Sequence, residues 1–164
     1  MTSLNRLIGL QAICQGQKCG WVERGVLDEG GEFLSGFVIR KGLGGAKWIP
    51  FGRIEALGGV SVVFRGGLEK MPKAPETRLG PVWEPSGLRL GTVTDVYLHT
   101  RTGRVAAIEI SLGPVDDWRF GRMAAVDYAI RREKTGCKVL TPLAGLLPLT
   151  ALNLEGEEDA HEFG

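Results

Sequence analysis

The chain has 164 residues, 43% of them apolar, with 20 basic against 19 acidic side chains and a net charge of +1. That length holds one ordinary domain or two very small ones, and the apolar share supports a packed core. A near-neutral total argues against a grossly basic nucleic-acid binder, and no apolar run approaches the ~18 residues a membrane span needs.

In chain order, the first 18 residues lack a basic n-region and a plain cleavage site, so no signal peptide is expected. Residues 18–27 read as a strand, 28–32 as a glycine-containing turn and 33–40 as the returning strand. A glycine-rich loop follows, then strands over 47–51 and 60–64. Residues 69–77 are polar, carry two prolines and read as a linker, leaving 1–68 as a first domain. The second half repeats the pattern, with a strand over 89–98, a turn over 99–103 and a strand over 104–111. Strands over 118–126 and 137–141 follow, and the nearest thing to a helix is 124–132, a short turn or helix at best. The second domain then runs 78–154, ending in a leucine-rich stretch. Residues 155–164 read as a disordered acidic tail.

Shifting the sequence by 71 residues superposes Gly9 on Gly80, Gly16 on Gly87 and Gly20 on Gly91. The same shift places Val22 on Val93, Leu27 on Leu98 and Ile39 on Ile110. A shift of 70 places Trp48 on Trp118, which makes both tryptophans expected core or packing residues. Many short strands with glycine-rich turns, repeated once, predict an all-β chain of two small barrels in tandem.

Particular residues carry a family resemblance. Leu79-Gly80, then Gly91-Thr92-Val93-Thr94-Asp95-Val96-Tyr97-Leu98, then Gly103-Arg104-Val105 resemble the PRC-barrel domain, a small β-barrel named after the photosynthetic reaction-centre H subunit. The first half repeats the pattern more loosely, with Ile8-Gly9, Gly20–Leu27 and Trp48–Ile54, and Arg24 stands where the pattern has aspartate. The resemblance covers about residues 5–68 and 76–142 and implies tandem PRC-barrels. It also implies binding and scaffolding rather than catalysis, and it transfers no catalytic motif. A barrel of about 65 residues buries only about 60% of its unfolded surface, so an apolar seam between halves, or a homodimer, is expected to support it.

Candidate sites are sparse. His99 falls in a hairpin turn and His161 in the tail, neither at a nucleophile's spacing. Asp116-Asp117, if in a β segment, would point apart and form no acid–base dyad. Cys14 and Cys19 are the only close cysteine pair. With Cys137 distant, they read as buried reduced thiols of a cytoplasmic protein rather than a zinc site. Gly42–Lys47 lacks the spacing of a phosphate loop and precedes a strand, not a helix. No cofactor and no metal centre are implied.

The basic segment Arg119, Arg122, Arg131, Arg132, Lys134 and Lys138 is the candidate partner surface, joined by Trp21 and Trp83 if these are exposed. The expected function is a non-enzymatic protein-binding or scaffold protein. The alternative is an RNA- or ribosome-associated accessory factor using residues 119–138, and peripheral contact with an anionic lipid surface is a further option. An enzyme would need a polar pocket between the halves.

The charge divides along the repeat. Residues 1–77 carry ten basic and seven acidic side chains, residues 78–154 the same, and the last ten residues contribute −5. The near-neutral total therefore conceals a body of about +6, and an anionic partner is not excluded.

Overall fold

The longest alternating run of each half becomes the longest strand of its sheet. In the computed structural model, which describes residues 1–73, 77–134 and 136–152, the elements follow in this order. β1 (Thr2–Ser3) and α1 (Leu4–Leu7) lead into β2 (Gln11–Cys14), β3 (Gln17–Leu27), β4 (Leu34–Arg40), β5 (Ala46–Pro50), β6 (Ile54–Leu57) and β7 (Ser61–Phe64). Then come β8 (Leu79–Trp83), β9 (Arg89–Leu98), β10 (Val105–Ser111), α2 (Pro114–Phe120), β11 (Met123–Ala125), β12 (Ala129–Glu133), β13 (Gly136–Leu140) and β14 (Leu146–Pro148). The chain is mostly β, and its two sheets follow the repeat.

The first sheet has the order β6-β7-β2-β3-β4-β5 and the second β12-β13-β8-β9-β10-β11, extended by β14. The orders match strand for strand. Each sheet contains one parallel pair at the same place, β2 with β7 and β8 with β13, and the other pairings of these paths are antiparallel. The internal repeat is therefore a repeat of topology.

The chain divides into two compact units. The N-terminal unit is Ser3–Arg78 with Thr100–Arg104, and the C-terminal unit is Leu79–His99 and 105–152 with Met1–Thr2. Phe37, Phe64, Ile39 and Ile49 are fully buried in the first, Leu98, Ile108, Ile110 and Val82 in the second. Within the N-terminal unit, Leu34 N–H donates to the Gly103 carbonyl at 2.8 Å. There too Trp48 and Glu69 exchange backbone hydrogen bonds of 2.9 Å, so this part of the segment read as a linker is paired. Residues 74–76 of that segment, and the acidic tail 155–164, lie outside the described residues.

Two superposed glycines share one physical cause. A Cβ on Gly20 would collide with the Arg40 carbonyl, and a Cβ on Gly91 with the Ser111 carbonyl. Arg40 and Ser111 are themselves related by the shift of 71, so each glycine allows the same close approach of two neighbouring strands.

Three expectations need correction. Residues 118–126 do not form one strand. Gly113-Pro114 starts a helix instead, with proline at its first turn and Asp116 and Asp117 near its positive end, and only Met123–Ala125 is extended. The stretch 124–132 is not helical: β11 ends at Ala125 and β12 begins at Ala129. Cys14 and Cys19 are joined as a disulfide with a Cα separation of 5.9 Å, not held as reduced thiols. The cause is a bulge: Gly20 pairs with Ala12 and Lys18 with Ile13, so Cys19 is the extra residue and turns toward Cys14.

Candidate interaction surface

The helix α2 fills the β10–β11 connection, where the N-terminal unit has only the loop 41–45 between β4 and β5. This longer connection displaces the tryptophan. Phe37 pairs with Ile49 and Val38 with Trp48, whereas Ile108 pairs with Ala125 and Glu109 with Ala124. The position equivalent to Trp48 is therefore Ala124, not Trp118. Trp48 is 7% exposed, as expected of a core residue; Trp118 is 84% exposed, which corrects the expectation that it would be one.

A polar cluster fastens α2. Asp117, the one α2 residue that is not exposed, accepts the Ser111 hydroxyl at 2.5 Å and the Leu112 N–H at 2.9 Å. Arg122 Nε lies 2.9 Å from the same carboxylate, and Arg122 also reaches Glu109 on β10 at 3.1 Å. Glu109 accepts in addition from Thr94 at 2.9 Å and Tyr97 at 3.2 Å. The Ser111 hydrogen bond chiefly holds the Asp117 carboxyl below its ordinary range. Partial desolvation opposes this, and the Leu112 N–H and the Arg122 guanidinium add to it.

Fastened by this acid, α2 presents apolar side chains to solvent. Val115 is 64% and Phe120 65% exposed, and Val115 and Trp118 share one face at i, i+3. Isolated exposed apolar residues are ordinary, but Val115 and Trp118 lie side by side in solvent, while Phe120, two positions from Trp118, is exposed on another side of the helix. Sequence reasoning missed this arrangement because the repeat alignment carried Trp118 into the core. The Gly113-Pro114-Val-Asp-Asp start was the available signal.

The basic segment divides between two places. Arg119 lies on α2, and Arg122 is engaged by Asp117 and Glu109. Arg131, Arg132, Lys134 and Lys138 belong to the β12–β13 hairpin, whose first strand ends the sheet. Arg131 stands directly opposite Lys138. Lys138 pairs with Glu133 at 2.9 Å and lies 5.0 Å from the centre of the Trp83 ring. The structure thus brings Arg131, Lys138 and Trp83 together. Trp83 is half-buried, and its indole N–H is buried without a hydrogen-bond partner. Trp21 belongs to the other unit, 43% exposed beneath the Lys18 ammonium.

A cleft of about 540 Å³ in the N-terminal unit is lined by Phe51, Ile54, Leu57, Glu55, Thr100 and Arg101 among others. Its one carboxylate, Glu55, pairs with Arg65 at 3.5 Å. Among the described residues no cluster of three metal-ligating side chains occurs, and no helix is long and apolar enough to cross a membrane.

Comparison with known proteins finds a family in the second repeat. The family model of the PRC-barrel domain matches residues 81–141, from β8 to the residue after β13. No curated protein matches the chain.

Proposed function

With residues 81–141 a PRC-barrel domain, we propose that the chain is a non-enzymatic protein-binding module that docks onto a partner through α2. The observation that carries the reading is the exposure of Trp118, with Val115 beside it on one face, on a helix fixed from beneath by Asp117. Aromatic side chains bury a large area at small entropic cost and dominate binding hot spots. The cluster pre-organises them, which lowers the ordering cost of association. The fitting partner presents an apolar groove with an acidic rim toward Arg119.

Nucleic acid is the competing ligand. Arg122 and Lys138 are already paired with carboxylates, which weakens a phosphate-binding role. The test is purification of the tagged chain from its native cell, with and without nuclease, beside a Trp118→Ser/Phe120→Ser variant. One protein set retained after nuclease and lost with the variant supports docking through α2. Recovery that disappears with nuclease and ignores the variant supports RNA.

A further inference from the structure

The β12–β13 hairpin carries Arg131, Arg132, Lys134 and Lys138 against the single acid Glu133, a net +3 in twelve residues, 129–140. It is exposed over most of β12, and among the described residues no further strand pairs with that edge. Its register sets Arg131 directly across from Lys138, an arrangement of like charges that costs stability when nothing lies between. Glu133 contacts Lys138 and leaves the local charge positive. The face carries an excess of positive charge that a bound anion would relieve.

The sequence that follows this unit supplies an anion. Beyond Leu152 the chain carries Glu155, Glu157, Glu158, Asp159 and Glu162, a run of −5 with no basic residue other than His161. The described chain reaches that point just after β14, where Leu149 N–H bonds the Arg122 carbonyl at 2.9 Å. The ten residues from 153 to 162 can extend about 35 Å, about two to three times the radius of gyration of a domain of this size. We infer that residues 155–162 dock electrostatically on the β12–β13 hairpin, at Arg131 and Lys134, and exclude other polyanions from it. Tethering makes this effective. A segment on a short linker competes at an effective concentration on the order of millimolar, so a contact with a dissociation constant of about 0.1 mM or below keeps the site mostly filled. This proposal does not use α2, so its failure leaves the docking reading intact.

The test uses a labelled synthetic peptide of residues 153–164 and a chain ended after Leu152. Anisotropy at low ionic strength should show the peptide binding the shortened chain at least about tenfold more tightly than the full chain, because the tethered copy competes. Binding should weaken with salt. Arg131→Ser/Lys134→Ser in the shortened chain should reduce it severalfold, whereas Arg119→Ser should not. Both substitutions are at exposed positions, and near-ultraviolet circular dichroism checks that the fold is kept. As a second readout, the Trp83 indole N–H resonance should differ between full and shortened chains. Equal peptide binding by full and shortened chains, no binding to either, or binding unaffected by Arg131→Ser/Lys134→Ser would overturn the proposal.

Discussion

Ser111, the last residue of β10, donates its hydroxyl to Asp117 of α2 at 2.5 Å and so couples the end of a buried strand to a helix that is otherwise exposed. The contact fixes where Trp118 and Phe120 stand. Asp117→Asn should therefore leave the sheet folded and loosen α2. Trypsin should cut after Arg119 severalfold faster in the variant, and an unchanged rate would show that the helix is held by something else.

The same carboxylate gives a pH dependence. Its folded-state pKa lies below the ordinary 3.8, so its contribution is fully present above 3.8 and is lost as pH falls through the lowered value. Acidification below 3.8 should release α2, seen as faster hydrogen exchange of the Leu112 N–H. The Asp117→Asn variant should lack that acid-dependent step. If wild type and variant respond identically, Asp117 is not the group that titrates.

The two tryptophans aligned by the repeat should behave oppositely. Trp48→Ala removes a core side chain and should cost about 3–5 kcal/mol. Trp118→Ala removes a solvent-exposed one and should change stability by no more than about 0.5 kcal/mol. Urea denaturation of both variants decides the matter, and equal losses would return Trp118 to the core.

Much of the fold was legible in the sequence, for reasons these residues make plain. Strands such as β9 and β4 are bounded by turns whose chemistry is local: Asp28 Oδ1 accepts the Glu32 and Phe33 N–H groups at 2.8 and 3.1 Å. Gly20 and Gly91 were visible because backbone approach permits no other residue there. What stayed hidden depended on inserted length. A fixed offset cannot register the extra residues that α2 adds between β10 and β11, so Trp118 was matched to Trp48 although Ala124 takes that place. The disulfide was hidden likewise, because composition cannot reveal a bulge that turns Cys19 toward Cys14. Of the site, Arg131, Lys138 and Trp83 were named individually, but only the β12–β13–β8 register brings them together.

The glycine explanation makes its own prediction. Gly91→Ala should destabilise by about 1–3 kcal/mol, because its Cβ meets backbone rather than a side chain that can move. Gly52→Ala, where a Cβ meets open space, should stay within about 0.5 kcal/mol. Thermal denaturation in parallel checks the pair, and similar shifts would refute the close-approach argument.

Cysteine chemistry tests the N-terminal hairpin. Alkylation of the unfolded chain without reductant should modify Cys137 alone, and after reduction all three cysteines. Mass spectrometry reads the difference. Three modified residues without reductant would mean that Cys14 and Cys19 are thiols in the isolated protein.

The docking claim itself is tested most directly by a photo-crosslinking residue placed at position 118 in the native cell, with the exposed Leu43 position as control. The account predicts a nuclease-resistant protein adduct from position 118 and none from position 43. Adducts from position 43 alone, or none from position 118 in cells where the tagged chain still recovers its partners, would contradict it.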